Sequence, residues 1–299
     1  MAYKNSIKTL LREKEPLLVD GAMGTMLMDE SKAKGVPAEM LNILSPDIII
    51  SVHKKYIDAG CDIITSNTFG ANEIKINEKK FETTIEEIVS AAVKCAKDAL
   101  SSSSSDRDVK VALNIGALGQ IIGMMGDIEH VDAKKMFTRQ VTAGVSAGAD
   151  LILIETMSDI EEVRDAVVAA KENSELPIFC TMSFNEIGRT FMGASPLALT
   201  QLAEELDIDA IGANCSLIPA QMLQVVAEMS ANTNRPLIAQ PNAGIPRLEK
   251  GIAVYDMKEE EFSEGVCGML DKGVSIVGGC CGTSPEYIRV LRKSIEKRG

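Results

Sequence analysis

Histidine is scarce in this sequence, since its 299 residues contain only two. A metal centre with three histidine ligands is therefore excluded, and any metal must be bound through sulfur or oxygen. Positive charge is also in short supply, with 31 lysines and arginines against 43 acidic residues and a net charge of −12. This balance argues against a nucleic acid or an anionic membrane surface as a partner.

Long apolar runs and an export signal are missing as well. No apolar stretch is long enough to span a bilayer, and no signal peptide is recognisable. Cysteines without an export signal indicate reduced thiols, so we expect a cytoplasmic protein with no membrane partner. The apolar fraction of 45% is compatible with a large buried core and does not predict disorder.

The seven cysteines fall into two groups. Four lie in or beside apolar patterns and are predicted to be small buried hydrophobes, namely Cys61, Cys95, Cys180 and Cys267. The other three, Cys215, Cys280 and Cys281, are set apart by polar and glycine-rich neighbours. A disulfide between the adjacent Cys280 and Cys281 is disfavoured because ring closure across one peptide bond is strained.

Short apolar segments alternate with helical patterns along the whole chain. The predicted strands are residues 17–20, 62–66, 110–115, 151–154, 177–183, 209–213, 236–240 and 275–278. This alternation predicts parallel strands joined by right-handed crossovers. Eight such units favour the α/β class and a single (β/α)8 TIM barrel over residues 1–299, with a doubly wound open sheet as the alternative.

Sequence signals also mark several helix ends. Ser45 and Pro46 are predicted to be an N-cap and a first helical residue, and Gly60 a C-terminal stop. Ser158 and Glu161 are predicted to form a capping box at the start of a later helix.

Polar residues follow the predicted strands, at the end where barrels have their active sites. Asp20 ends the first strand, Glu155 follows the fourth and Cys215 the sixth, while Cys280 and Cys281 follow the eighth. Three cysteines distant in sequence are thus expected to meet at one mouth. Three thiolates with an open fourth position are the form of a catalytic zinc site, and such a site suits a substrate thiol, held as the reactive thiolate.

The two acids at this mouth predict a cationic group on the substrate. Asp20 and Glu155 could both pair with an ammonium, although Asp20 could instead be a turn or cap residue. Backbone N–H groups of the Gly21–Gly24 turn could bind a carboxylate. A substrate with a thiol, an ammonium and a carboxylate is an amino thiol acid.

Six segments of the chain resemble the homocysteine S-methyltransferase family. They are Asp20–Thr25, Thr65–Gly70, Ile154–Thr156, Gly212–Ser216, Pro241–Gly244 and Gly278–Thr283. The resemblance runs in order from about residue 17 to 290, and the pairing of the Cys215 segment with the Cys280–Cys281 segment is highly specific. The likeness is closest to the homocysteine-binding domain of cobalamin-dependent methionine synthase.

The resemblance implies zinc bound by Cys215, Cys280 and Cys281, with the homocysteine sulfur as fourth ligand and no catalytic side chain beyond the zinc site. The thiolate would attack a methyl donor to give methionine. The implied substrate-binding residues are Asp20, Gly21, Ala22, Ser66, Thr68 and Glu155. In substrate-free members of the cobalamin branch, the side chain that matches Asn242 can approach the zinc.

The methyl donor is left open by the sequence. The resemblance favours methyl-cobalamin, supplied by a corrinoid-binding protein or by folate and cobalamin modules beyond this barrel, and a small sulfonium or betaine donor is the alternative. Five methionines could line a docking surface, although gap filling near the core is favoured, and these are Met23, Met26, Met28, Met124 and Met125.

Two hypotheses from other classes compete with this one. Gly278 and Gly279 could bind phosphate in an aldolase-like enzyme, because barrels often bind phosphate after their last two strands. That hypothesis leaves the paired cysteines unexplained. The other is a zinc-stabilised, non-catalytic binding subunit, although a closed zinc site would need a fourth strong protein ligand.

Overall fold

A sheet of eight parallel strands lies at the centre of the computed structural model, which describes residues 16–28, 35–124, 126–249 and 252–298. Its strands are β1 (Leu17–Leu18), β2 (Ile63–Thr65), β3 (Lys110–Gly116), β4 (Leu151–Met157), β5 (Ile178–Met182), β6 (Ala210–Asn214), β7 (Leu237–Gln240) and β10 (Val274–Val277). Neighbouring strands follow the order β1-β10-β7-β6-β5-β4-β3-β2. Each strand therefore lies beside its predecessor among these eight, as an alternating strand and helix pattern requires.

Contacts between β1 and β2 close this sheet into a barrel. Val19 pairs with Ile63 in a parallel bridge. The Asp20 N–H donates to the Ile63 carbonyl over 3.0 Å, and the Asp62 N–H donates to the Leu18 carbonyl over 2.6 Å. The predicted (β/α)8 TIM barrel is thus confirmed, and the alternative of an open doubly wound sheet is wrong.

Helices surround the barrel and cover its outer face. In the described chain they are α1 (Met23–Leu27), α2 (Leu41–Leu44), α3 (Pro46–Ala59), α4 (Glu78–Phe81), α5 (Ile85–Ser102), α6 (His130–Ser146), α7 (Ile160–Asn173), α8 (Pro196–Glu205), α9 (Pro219–Ser230), α10 (Glu259–Leu270) and α11 (Pro285–Glu296), with a 3-10 turn at Ala38–Met40. None of them is long and apolar enough to cross a membrane.

Apolar side chains fill the interior of the barrel. They are Leu17, Val19, Ile63, Ala112, Leu151, Leu153, Phe179, Ala210, Ile238 and Ile276. The other face of the strands packs against the helices in a second, larger core. Because the barrel is filled, a site for a ligand has to lie at its mouth, where the strands end.

The predicted helix ends are partly correct. Pro46 is the first residue of α3, and Gly60 ends it in the left-handed region at φ 99°. The capping box predicted for Ser158 and Glu161 is wrong, because β4 continues to Met157 and the helix begins one residue later than expected. Asp159 is the N-cap instead, and its carboxylate accepts the Glu161 N–H over 3.0 Å.

A two-stranded hairpin was missed by the sequence reasoning. Strands β8 (Arg247–Glu249) and β9 (Ile252–Val254) pair antiparallel in the connection between β7 and α10. Three residues per strand are too few for a periodic pattern to stand out, and the β8 side chains are exposed. Tyr255, the residue after β9, lies against Gly282 in the connection that follows β10.

The two histidines lie in opposite environments. His53 on α3 is fully buried, and neither of its ring nitrogens has a hydrogen-bond partner. Burial therefore lowers the pKa of His53 to about 4. His130 is exposed, and its hydrogen bond with Asp165 raises its pKa above the usual value.

We predict that His53 makes the fold sensitive to mild acid. Between its unfolded pKa of about 6.5 and its folded pKa of about 4, the unfolded state holds the extra proton. Stability therefore falls as pH falls through this window, by roughly 3 kcal/mol in total. The variant His53→Leu should lose less free energy of unfolding between pH 6.5 and 4.5, as measured by urea denaturation.

The control for this prediction is His130→Gln. The raised pKa of His130 gives a contribution of the opposite sign, present below the unfolded pKa and lost as pH rises through the folded value. Its removal should therefore reduce stability at low pH rather than restore it. If the free energy of unfolding of His53→Leu fell between pH 6.5 and 4.5 as much as that of the wild type, the acid sensitivity would not come from His53.

Candidate metal and substrate site

Three cysteine sulfurs lie together at the mouth of the barrel. Cys215 follows β6, and Cys280 and Cys281 follow β10. Their sulfurs all lie within 4.8 Å of one another, and the Cys215 and Cys281 sulfurs are 3.8 Å apart. Of the histidine, cysteine and acidic residues in the described chain, these three form the group that could hold a metal ion.

Backbone hydrogen bonds to the β7 connection hold the cysteines in place. The Cys215 N–H donates to the Gln240 carbonyl over 3.0 Å, and the Cys280 N–H donates to the Pro241 carbonyl over 2.8 Å. The Ala243 N–H donates to the Cys281 carbonyl over 3.0 Å. Cys215 is also held in the left-handed region at φ 59°, an uncommon backbone state that aims its side chain at the cluster.

The glycines before the cysteine pair are packed against the chain itself. The N–H groups of Gly278 and Gly279 donate to the carbonyls of Ala239 and Asp20, each over 3.1 Å. A Cβ on Gly279 would lie 2.5 Å from the hydroxyl oxygen of Thr283. Because these amides are already used and the space is filled, they do not form the phosphate site of the aldolase-like hypothesis.

The three thiols share their protons unequally. Hydrogen bonds from Cys215 and Cys280 lower the pKa of Cys281 to about 3. The same cluster raises the pKa of Cys280, chiefly through its hydrogen bond to Cys215 and then through that to Cys281. One sulfur is thus a thiolate stabilised by two thiols, and a soft divalent cation could replace the shared protons.

Asp20 is buried at the end of β1, with 3% of its surface exposed. Its carboxylate accepts the Thr65 N–H over 2.8 Å and the Thr65 hydroxyl over 3.1 Å. These bonds join β1 to β2, so Asp20 is not the cap of the turn that follows it. Burial raises the pKa of Asp20 well above its usual value, and the charge of Glu155 raises it further.

Glu155 lies on β4 and faces the same region. One of its oxygens accepts Asn114 Nδ2 over 2.7 Å, and the other accepts Asn214 Nδ2 over 3.2 Å. Burial raises the pKa of Glu155 to about 7. Among the described residues neither Glu155 nor Asp20 has an ionic partner, so a cation at this position would stabilise both carboxylates.

Ser66 and Thr68 are fully buried and hold Asn114 in place. Their hydroxyls lie 2.8 Å apart. The Ser66 hydroxyl accepts the Asn114 N–H over 3.1 Å, and the Thr68 hydroxyl donates to the Asn114 carbonyl over 2.6 Å. In this structure they act on Glu155 through Asn114, which the sequence reasoning had not singled out.

The turn after β1 is packed against the β10 connection. The Ala22 N–H donates to the Thr283 hydroxyl over 3.1 Å. A Cβ on Gly21 would lie 2.6 Å from the same hydroxyl oxygen. The Ala22 amide therefore already has an acceptor, although the Gly21–Gly24 turn was expected to offer its amides to a carboxylate.

Two asparagines complete the surroundings of the sulfurs. Asn242 is buried, and its side-chain oxygen has no hydrogen-bond partner, although such buried oxygens are normally satisfied. Asn214 is fully buried and reaches both Glu155 and the Cys280 sulfur, 3.9 Å from Nδ2. The sequence reasoning missed Asn214, and its position just before Cys215 was the available signal.

Comparisons with known proteins match nearly the whole chain to one family. The family model described as homocysteine S-methyltransferase matches residues 17–295. The chain is 28% identical over 290 residues to the methionine synthase of Mycobacterium leprae and 28% identical over 288 residues to that of Mycobacterium tuberculosis. These matches cover 93% and 92% of this chain but 24% of each relative, so the chain spans about a quarter of their length.

Solved structures share the fold. The metallated form of the homocysteine methyltransferase MmuM from Escherichia coli superimposes with a TM-score of 0.79 at 19% identity, over 96% of this chain and 99% of that one. Its apo form gives a TM-score of 0.74 with the same coverage. At this identity the likeness supports the barrel and does not by itself assign the site.

We predict that the three cysteines bind Zn²⁺ or Co²⁺ as a unit. Removing a residue that hydrogen-bonds to a metal ligand lowers metal affinity by about 10- to 100-fold. Replacing a ligand itself, as in Cys280→Ser, should therefore lower the affinity by roughly 100-fold or more. Competition with a chromophoric chelator measures the affinity, and sulfur-to-cobalt absorption reports the ligands. Cys267→Ser, a buried cysteine on α10, is the control, and equal affinity of both variants would refute the site.

Proposed function

The chain belongs to the homocysteine S-methyltransferase family, and we propose that it transfers a methyl group to the sulfur of homocysteine to give methionine. The observation that carries this proposal is the cluster of three sulfurs beside two uncompensated carboxylates. A thiol and an ammonium on one small substrate match these two halves of the site.

We propose zinc as the metal, held by Cys215, Cys280 and Cys281. Sulfur is the ligand type that selects zinc among the common divalent cations, and a group of three leaves one position of a tetrahedron open. Bound there, zinc would keep a substrate thiol ionised at neutral pH. We propose that the Asn242 side chain takes the open position when no substrate is present, which its unpartnered buried oxygen supports.

Asp20 and Glu155 are proposed to bind the substrate ammonium. Asp20 is buried and Glu155 is half-buried, and neither has an ionic partner in the described chain. Their pKa values are raised mainly by removal from water. An ammonium beside them would favour their charged forms and remove the penalty of burying them alone. Asn114 and Asn214 fix the orientation of Glu155, so the substrate is held in one direction relative to the sulfurs.

We predict that Glu155→Gln weakens recognition of the amino group specifically. The wild-type protein should bind homocysteine more tightly than 4-mercaptobutyrate, which lacks the ammonium. A hydrogen bond to a charged group contributes about 1.5 to 3 kcal/mol, so the variant should lose roughly 10- to 100-fold of this preference. Calorimetric titration of the metal-loaded proteins with both thiols measures it.

The control for Glu155→Gln is the affinity for 4-mercaptobutyrate itself. Since this thiol offers no ammonium, its affinity should change little. Equal losses for both ligands would show that Glu155 supports the structure rather than the amino group. Absence of any methyl transfer to homocysteine by the metal-loaded wild type, with free methylcobalamin as donor, would overturn the proposed function.

The surface around the mouth favours a large methyl donor. Every exposed large apolar residue in the described chain lies between a barrel strand and the first turn of the long helix that packs after that strand, which is α3, α5, α6, α8 or α10. These residues are Met28, Ile43, Leu44, Phe69, Ile121, Met124, Val131, Ile187, Phe191, Met192, Leu197, Ile245 and Leu248. That restriction to one end of the barrel marks an interaction surface, which we call the apolar rim.

We propose that a corrinoid carried by a protein module docks on the apolar rim. A small sulfonium or betaine would enter the mouth and leave side chains such as Phe191 and Leu248, 90% and 80% exposed, without a function. The curated relatives are about four times as long as this chain, which is consistent with further modules. Of the methionines considered from sequence, Met28 and Met124 are on the rim, Met23 and Met26 pack on the core, and Met125 lies outside the described residues.

We predict that Phe191→Asp and Leu248→Asp weaken use of a protein-bound methylcorrinoid. Loss of an apolar anchor at an interface costs about 1 to 3 kcal/mol, so the KM for the corrinoid protein should rise roughly 5- to 100-fold. Steady-state kinetics at fixed homocysteine measures this KM. Ser104→Asp adds the same charge at the opposite end of the barrel and is the control. An equal rise in KM for this variant would contradict docking on the apolar rim.

A further inference from the structure

Above the apolar interior of the barrel, the inward-facing side chains become polar. Side chains alternate between the two faces of a strand, so a residue two positions after an interior one faces inward as well. Ala112 on β3 and Ile238 on β7 belong to the interior cluster. Asn114 and Gln240 therefore face inward at the floor of the mouth, on opposite sides of the barrel, because three strands separate β3 from β7 in either direction.

Both side chains end in a buried oxygen that has no hydrogen-bond partner in the described chain. Asn114 is 6% exposed and Gln240 is 3% exposed. The Asn114 amide cannot be reversed, because its Nδ2 donates to the Glu155 carboxylate over 2.7 Å and a reversed amide would place two oxygens together. Since buried acceptors are normally satisfied, these two oxygens indicate a ligand that donates hydrogen bonds.

Neighbouring donors at the floor of the mouth are already used. The Thr65 hydroxyl donates to Asp20 over 3.1 Å. The Thr181 hydroxyl donates to Asn214 Oδ1 over 2.8 Å, and Asn214 Nδ2 donates in turn to Glu155 over 3.2 Å. The two oxygens therefore remain for a ligand that brings its own N–H groups.

No side chain separates Gln240 from the end of the first strand. Strand β10 lies between β7 and β1, and its inward position next to Gln240 is Gly278. The Gly278 N–H donates to the Ala239 carbonyl, and the Gly279 N–H donates to the Asp20 carbonyl, each over 3.1 Å. Gln240 thus borders the same part of the mouth as Asp20.

The substrate ammonium proposed above carries three N–H donors, whereas the carboxylates of Asp20 and Glu155 already accept bonds from the protein. We propose that Asn114 Oδ1 and Gln240 Oε1 accept N–H groups of this ammonium. Both residues then bind the substrate directly, and the site selects a primary amine by the number of its N–H groups as well as by its charge. This inference rests on the proposed function and narrows its substrate.

The first test is Gln240→Met, which removes the oxygen and nearly keeps the size of the side chain. The probes are homocysteine and N,N-dimethylhomocysteine, which keeps the positive charge but has a single N–H group. The hydrogen bond of an ammonium corresponds to roughly 10- to 100-fold in affinity, so the variant should lose that much of the preference for homocysteine. Calorimetric titration of the metal-loaded proteins measures both affinities.

Stability separates this role from a structural one. Gln240→Met no longer buries an oxygen without a partner, so its midpoint of urea unfolding should be higher than that of the wild type. A lower midpoint together with equal losses of affinity for both thiols would show that Gln240 supports the fold, and it would overturn the inference.

The matched control is Gln140→Met. Gln140 lies on α6, outside the barrel, is 1% exposed and also has a buried side-chain oxygen without a partner in the described chain. The variant therefore makes the same chemical change away from the mouth. Its preference between the two thiols should equal that of the wild type, and an equal loss in both variants would overturn the inference.

A second variant at the same position keeps an acceptor. Gln240→Glu should retain the preference for homocysteine, because a carboxylate oxygen can accept the same N–H group. Loss of the preference in Gln240→Glu as well as in Gln240→Met would show that the oxygen is not what recognises the nitrogen.

Asn114 needs a test of its own because it also orients Glu155. When Asn114→Leu is added to Glu155→Gln, the preference for homocysteine should fall again, by roughly 10-fold or more. If Asn114 acted only through Glu155, the double variant would behave like Glu155→Gln, and its direct role would be overturned.

These outcomes are distinct from failure of the proposed function, which is read from methyl transfer to homocysteine by the wild type. An unchanged preference in Gln240→Met, with methyl transfer by the wild type intact, would overturn this inference alone.

Discussion

The hydrogen bonds that close the barrel decide where every functional side chain of this protein lies. Because all eight strands run in the same direction, their carboxyl ends share one face, and the connections of β6, β7 and β10 become neighbours there. The β7 connection then links the two cysteine segments, since Gln240 accepts from Cys215 and Pro241 accepts from Cys280. A shift in the register of β6 or β10 by one residue would turn the cysteine that follows that strand away from the cluster.

Asp20 and Glu155 at the mouth have no ionic partner in the described chain, in contrast to the acids around Arg139. Elsewhere, Arg139 pairs with three acids, Glu73, Glu78 and Glu86. At the mouth, burial raises the pKa values of Asp20 and Glu155, and the sulfurs compete for protons. Buried groups of this kind are costly for the fold unless a ligand supplies the missing positive charge. These groups support the proposal that a metal ion and a substrate ammonium supply the missing positive charge.

The strands, the closed barrel and the meeting of the three cysteines could be predicted from sequence because each depends on a local pattern. Apolar runs mark the strands, and residues just after a strand must lie at the mouth. Ser66 and Thr68 show the limit, since their residue types suggest contact with a ligand while their hydroxyls are used to hold Asn114. Partners of that kind depend on side-chain packing between strands far apart in sequence, which no local pattern encodes. The hairpin after β7 was missed for a different reason, because its strands are too short to show periodicity.

Asn214 connects the Glu155 carboxylate with the Cys280 sulfur. Its Nδ2 group has two hydrogens but three acceptors within reach, the Thr156 hydroxyl at 2.7 Å, the Glu155 carboxylate at 3.2 Å and the Cys280 sulfur at 3.9 Å. Its oxygen is fixed by the Thr156 N–H and the Thr181 hydroxyl, so the amide cannot turn to favour one acceptor without losing these bonds. Since two hydrogens must serve three acceptors, a stronger bond to the carboxylate leaves less for the sulfur. The hydrogen bonding of Glu155 and that of Cys280 are thus joined through one buried side chain.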